Sequence, residues 1–239
     1  MKQLHRHLYL VAVFIVFLPF WPLLSFLKKN SNKHYSTFVR IRKWIALTAS
    51  SFVGFRYKIK WEEEVDWSQN YIICANHTSN LDITALIKVC KNDFSFIGKD
   101  ELLNNPVTGL FFRTIDIPVN RSSKMSSFRA FKRAEKYLLE DKSIVIFPEG
   151  GIGDEYPPVL DPFKNGVFRL ATELKIPILP VIIKDAWELF WDDGSKKGSQ
   201  AGSIHIQVLK PVDGEALNLH VDDLRDRVYD LFQKNLSSN

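Results

Sequence analysis

At 239 residues the chain is long enough to bury a substantial core even with an N-terminal segment set aside, which predicts one main domain plus an appendage. Its 32 lysines and arginines against 27 aspartates and glutamates leave a net charge of +5, a mild excess suited to an anionic surface or phosphorylated small molecules, and no nucleic-acid partner is expected. Cys74 and Cys90 lack C-x-x-C spacing and read as buried thiols, and six histidines without an H-E-x-x-H or Cys/His array give no metal site and no cofactor.

Leu8 to Leu27 is an uncharged run of twenty residues bracketed by Lys2, Arg6, Lys28, Lys29 and Lys33. At ~1.5 Å per residue, a helix of that length just crosses the hydrocarbon of a bilayer. Pro19 and Pro22 each remove a backbone donor, so the run is expected as a kinked span or as a helix that enters and turns back. A cleaved signal peptide fits less well, because the apolar part is long and SFLKKN has no small-x-small site. From Ser36 to Phe55, Phe38, Ile41, Ile45 and Phe52 fall near one helical face among Arg40, Arg42 and Lys43, with Trp44 suited to headgroup depth. This reads as an interfacial helix, so residues 1–55 are expected to form a membrane-associated segment and residues 56–239 the main domain.

From Arg56 onward, β-rich runs alternate with helical patterns. YKIKW, YIICA, FSFIG, IDIPV, SIVIF, PILPVII and SIHIQV are the expected strands. Asp82 to Lys91 reads as a helix, as does Ser123 to Glu140, where Met125, Phe128, Phe131, Ala134 and Leu138 recur at three- and four-residue steps. The alternation predicts an α/β fold, a mixed and largely buried β-sheet flanked by helices. Asp192 to Gly202 is a polar loop rich in glycine and serine, and Val221 to Leu236 reads as a helix packed through Leu224, Val228, Leu231 and Phe232.

Three strand-to-loop junctions carry chemistry. Asn76-His77-Thr78-Ser79-Asn80-Leu81-Asp82 joins a strand to a helix, where side chains and free helix amides converge on ligands. The step from His77 to Asp82 lets a carboxylate on the first helical turn hold the imidazole, leaving its other nitrogen to take a proton. A helix N-cap with an exposed histidine is the plainer alternative. Phe147-Pro148-Glu149-Gly150-Gly151-Ile152-Gly153 runs a strand into a loop whose amides can face an anion, or into a simple tight turn. Ile115 to Arg121 ends in an arginine whose planar fork suits phosphate, although a lone surface arginine is common.

In order and together, these segments resemble the glycerolipid acyltransferases of the 1-acylglycerol-3-phosphate acyltransferase type, over about Tyr71 to Ile183. NHTSNLD is similar to the family's N-H-x-x-x-x-D block, which implies His77 as general base, Asp82 as its orienting partner and Asn76 beside the substrate. IDIPVNR resembles the block whose arginine, here Arg121, is implied to hold the acceptor's phosphate. FPEGG resembles the block in which Glu149 and Gly150 shape the acceptor site, and IPILPVII supplies Pro180 at the family's proline. The resemblance implies transfer of a fatty acyl group from acyl-CoA or acyl carrier protein to a lysophospholipid acceptor, giving phosphatidate in phospholipid synthesis. It also implies a cytoplasmic membrane location with the catalytic domain facing the cytoplasm.

The family's third block commonly continues E-G-T-R, whereas this chain has Glu149-Gly150-Gly151-Ile152. The lost guanidinium is expected to be replaced by Lys164, with Lys99 and Arg169 as alternatives, or else the acceptor is not a phosphomonoester. Without a G-x-S-x-G elbow or an activated cysteine, direct transfer is expected rather than an acyl-enzyme. Lys124, Arg129, Lys132 and Arg133 either steer an acidic donor or form a solvated helix face. An amino-acid-based lysolipid acceptor and a catalytically inactive lipid-binding protein are the competing functions.

Overall fold

The computed structural model describes residues 1–191 and 198–237. All seven expected strands form one sheet. They are β1 (Phe55–Trp61), β2 (Ile72–Ala75), β3 (Phe94–Lys99), β4 (Ile117–Val119), β5 (Ser143–Ile146), β6 (Ile178–Ile183) and β7 (Gly202–Val208), in the spatial order β1-β7-β6-β2-β5-β3-β4. Neighbours run parallel except for β6 and β7, which are antiparallel. β2 and β6 are buried along their whole lengths, as apolar runs covered on both faces should be. β1 lies at the edge and alternates buried or half-buried residues with exposed ones.

Helices cover both faces. On one lie α3 (Tyr35–Phe52) and α4 (Leu81–Val89), which meet each other and β1, and Tyr57 of β1 donates its hydroxyl to Thr84 of α4 at 2.8 Å. On the other lie α6 (Lys124–Leu139), α7 (Gly166–Leu174) and α9 (Val221–Ser237), with Gln207 of β7 reaching Asn235 of α9 at 3.0 Å. The strand ends where β2, β5 and β6 point together carry the loops 76–81 and 147–163. The two shortest helices, α5 (Thr108–Phe112) and α8 (Ala186–Leu189), were not anticipated from the sequence, and neither was α7. Part of the expected polar loop, residues 192–197, lies outside the described residues.

The N-terminal run is a broken rod. α1 (Lys2–Phe17) leads through a short 3-10 turn at Leu18–Phe20 into α2 (Trp21–Leu27). Pro19 and Pro22 each sit in the first turn of the piece they open, where a missing N–H leaves no helical bond unmade. The helical stretch Lys2–Asn30 is long and apolar enough to cross a membrane. Its two sides differ: Tyr9, Val16, Phe17 and Leu24 are buried against the protein, while Leu4, Leu8, Val11, Ile15 and Leu18 form an exposed row at three- and four-residue steps.

α3 is more deeply built in than an interfacial helix. Tyr35, Phe38, Val39, Ile45 and Ala49 are buried, and only Trp44 and Phe52 are largely exposed among its big apolar side chains. Arg42, on the helix that the sequence reads as interfacial, is instead buried in an ion pair with Asp116 at 2.5 Å. Its other terminal nitrogen donates to the Phe94 carbonyl at 2.9 Å, and its guanidinium lies 4.4 Å from the centre of the Phe94 ring. The same Asp116 oxygen accepts the Phe96 amide at 2.9 Å, so the pair joins α3 to the β3–β4 edge.

Candidate active site

The loop after β2 turns into α4 so that Asp82, on the first helical turn, faces back towards His77. Asp82 Oδ2 accepts from His77 Nδ1 at 3.0 Å, from the Thr78 amide at 2.6 Å and from the Ser79 amide at 2.8 Å. The two amides belong to the loop just before Asn80, the N-cap of α4, and bind the carboxylate directly. Because Asp82 is fully buried and acts as acceptor, the hydrogen bond assigns the His77 proton to Nδ1 and leaves Nε2 with its lone pair. Asp82 Oδ1 and the Thr78 hydroxyl are both buried without a hydrogen-bond partner.

A second carboxylate holds the backbone. Glu149 follows β5, and its two oxygens accept the His77 amide at 2.7 Å and the Asp161 amide at 2.9 Å. One side chain thus ties together the loop after β2, the loop after β5 and the start of the approach to α7. Burial pushes the Glu149 carboxyl up to about 7, against the two amide hydrogen bonds that favour its ionised form. Phe147, two residues earlier, stacks on the His77 imidazole with ring centroids 3.7 Å apart and planes 11° apart. Sequence reading placed Phe147 only in an apolar strand. Nothing in the linear pattern reports that a residue just past β5 lies beside one just past β2, although the two strands pair.

The glycine loop gathers cations. Gly150 has φ +88°, and the space that a Cβ would need there is filled by the Lys164 side chain out to its ammonium. At Gly151 a Cβ would stand 3.1 Å from Arg121 Nη1. Arg121, two residues past β4, and Lys164, before α7, therefore reach neighbouring glycines of the same turn. Of the alternatives for the missing arginine, Lys99 ends β3 opposite Val119, two residues before Arg121. Arg169 points along α7 to Glu173 at 3.4 Å and takes no part.

The Asn76 carboxamide donates to the Ile183 carbonyl and accepts the Ile183 amide, both at 2.8 Å. Both polar ends are committed to β6, so Asn76 sets the position of the loop that carries His77. Cys74 and Cys90 are buried, and burial drives both thiols upward, Cys90 to about 12, which keeps them protonated and unreactive at neutral pH. Among the described residues no cluster of histidine, cysteine, aspartate or glutamate is arranged to hold a metal ion.

On the β6–β7 side, an open trough of about 1200 Å³ begins at Asn76, Thr78 and Glu149 and runs between α8 and α9. Its walls mix charges: Lys184, His205 and Lys234 stand with Asp185, Glu188 and Asp230. Asn76 and Thr78, the neighbours of His77 in its loop, thus line one end of this trough.

Residues 56–184 match the Acyltransferase family. An uncharacterised acyltransferase of Schizosaccharomyces pombe is 31% identical over 76% of this chain and 64% of its own length. The 1-acyl-sn-glycerol-3-phosphate acyltransferase alpha of Mus musculus is 27% identical over 75% of this chain and 62% of its own. The chain therefore spans somewhat under two thirds of each of these relatives. The crystal structure of the 1-acyl-sn-glycerophosphate (LPA) acyltransferase PlsC from Thermotoga maritima superposes with a TM-score of 0.77, covering 99% of this chain and 96% of that one at 19% identity, so the two share a fold. With the family match extending from β1 to the end of β6 and spanning the His77, Arg121 and Glu149 loops, this chain belongs to the Acyltransferase family.

Proposed function

We propose that the protein transfers a fatty acyl group from a thioester donor to the free hydroxyl of 1-acylglycerol-3-phosphate, giving phosphatidate, with His77 as the general base. The observation that carries this reading is the single Asp82 oxygen that holds His77 Nδ1 and two loop amides together. His77 Nε2 takes the hydroxyl proton as the acceptor oxygen bonds to the thioester carbon. Collapse of the tetrahedral intermediate breaks the C–S bond, and the proton passes from His77 to the departing thiolate. Asp82 stabilises the imidazolium in between, and the stacked Phe147 ring restrains the imidazole.

The acceptor's phosphate is assigned to Arg121 and Lys164 over Gly150 and Gly151, with Glu149 shaping that loop. Two cations at a glycine turn favour a phosphomonoester over a headgroup without one, despite Ile152. The exposed apolar row of α1 and α2 supports seating at a membrane, which keeps the site beside an amphiphilic substrate. Because the opposite side of α1 packs on α3, the helix lies against the domain with one side towards lipid; the catalytic domain is assigned to the cytoplasmic side.

The deciding experiment is acyl transfer to lysophosphatidate in detergent from acyl-CoA and from acyl carrier protein, with wild type and His77→Ala side by side. Transfer by wild type and its loss in the variant is the expected result. Wild-type transfer to an amino-acid-based lysolipid but not to lysophosphatidate would overturn the acceptor, and equal activity of the two proteins would overturn the base.

A further inference from the structure

β1 carries a ladder of cations that the acceptor chemistry does not use. Arg56, Lys58 and Lys60 are the exposed residues of the strand, and they stand in register beside Ser203, His205 and Gln207 of β7. Directly paired residues on neighbouring strands project to the same side of a sheet, so the three cations share a surface with His205. His205 in turn lines the trough that starts at Asn76, Thr78 and Glu149. From the end of β2 the route crosses β6 and β7 to β1, three strand spacings or about 14 Å. Among the described residues none of Arg56, Lys58 and Lys60 is engaged in an ion pair.

Resting on the acyl-transfer reading above, we propose that this trough and ladder form the donor site for coenzyme A thioesters, the trough taking the pantetheine arm and Arg56, Lys58 and Lys60 its nucleotide phosphates. The two halves match the two ends of that molecule. Pantetheine is uncharged and rich in amides, and suits walls whose acids and bases nearly balance. The phosphorylated nucleotide is strongly anionic and suits a row of cations spaced ~7 Å apart on alternate residues of a strand.

Two other anionic occupants fit less well. The ladder is on the sheet face opposite α3, since Tyr57, the alternate residue between Arg56 and Lys58, points to α4 on the α3 side. It therefore faces away from the apolar row of α1 and away from lipid headgroups. An acidic carrier protein, much wider than the row, would also overlie the exposed acids Asp223 and Asp230 of α9 and Glu62 past β1, which repel it. A small nucleotide on the ladder avoids both.

Lysines on an edge strand also discourage strand pairing between molecules, and charge reversal preserves that role while removing the attraction for phosphate. The test is therefore Lys58→Glu with Lys60→Glu, assayed with palmitoyl-CoA and with palmitoyl-pantetheine, which lacks the phosphates. The expected result is that KM for palmitoyl-CoA rises about tenfold or more while KM for palmitoyl-pantetheine stays within about twofold. An unchanged palmitoyl-CoA KM overturns the proposal, as does an equal rise for both donors or wild-type transfer from acyl carrier protein alone. Titration of free coenzyme A into wild type and variant, each shown to be folded by its thermal transition, reads the ladder independently of any acceptor. Weaker binding by the variant upholds the site even if lysophosphatidate proves not to be the acceptor, and equal binding overturns it.

Discussion

Gly150 and Lys164 occupy each other's space: the lysine side chain runs through the position where any other residue at 150 would place its Cβ. Gly150 also sits at φ +88°, a region that side chains disfavour. Gly150→Ala is thus strained twice, by its backbone and by displacement of the lysine. Its expected effect is a loss of ~1–3 kcal/mol in stability together with a raised lysophosphatidate KM, read by thermal unfolding and steady-state kinetics. Gly151→Ala, with no such φ and 3.1 Å to Arg121 Nη1, should leave stability nearly intact and raise KM less.

Removing the cations themselves separates binding from chemistry. Lys164→Ala and Arg121→Ala should each raise the KM for lysophosphatidate by ~10- to 100-fold, the worth of a charge-assisted phosphate contact, with a smaller change in kcat. A Lys164→Ala protein with an unaltered acceptor KM would refute the substitution of lysine for the missing arginine.

Asp82→Asn should do the reverse. An amide with its oxygen where Oδ2 stands can still accept from His77 Nδ1 and both loop amides, but it carries no negative charge to stabilise the imidazolium, and its N–H₂ takes the buried place of Oδ1, which has no partner. A fall in kcat of ~10²- to 10⁴-fold with acceptor KM little changed is expected from matched assays of the two proteins.

Glu149 makes stability depend on pH. Its folded carboxyl titrates near 7 against an ordinary value of 4.5, so between these limits the folded state holds a proton that the unfolded state has lost. Stability is then highest below about pH 4.5 as far as this group is concerned, and falls as pH rises through 7, by up to ~3 kcal/mol. Denaturant unfolding of wild type and Glu149→Gln at pH 5 and pH 8 checks the sign: the wild type should lose more over that interval than the variant does.

The Arg42–Asp116 pair offers a test of how α3 is held. Arg42→Met strands a buried carboxylate and should cost ~3–5 kcal/mol, whereas Arg42→Met with Asp116→Leu should recover much of the loss. Chemical denaturation of the single and double variants measures the coupling.

These residues also mark how far the sequence could be read. The strands were legible because each is an apolar or alternating run between breakers, and the step from His77 to Asp82 was legible because a helix start folds that distance back on itself. The place of Lys164 beside the glycine loop could be anticipated because it lies only fourteen residues past Gly150. Arg42 could not: its partner is 74 residues away, and on a helical wheel a buried arginine looks the same as one at a headgroup. Asn76 stood next to the histidine and was assigned to the substrate site, yet its two bonds are to Ile183, 107 residues on. α7 escaped because its nine residues begin with a glycine and follow a proline-rich loop, leaving little room for a helical period to declare itself.

The apolar N-terminal rod and the domain core are one hydrophobic unit. Tyr9 of α1 stacks edge-on against Phe55 of β1 and Phe190, and His5 bonds the Val53 carbonyl at 2.8 Å and the Ser199 hydroxyl at 2.7 Å. Clipping the chain before Tyr35 to obtain a detergent-free protein would therefore uncover the flank of α3 and the end of β1, trading one greasy surface for another. A soluble form is better sought by recolouring the outward row, Leu4, Leu8, Val11 and Ile15, with polar side chains while leaving the inward row untouched.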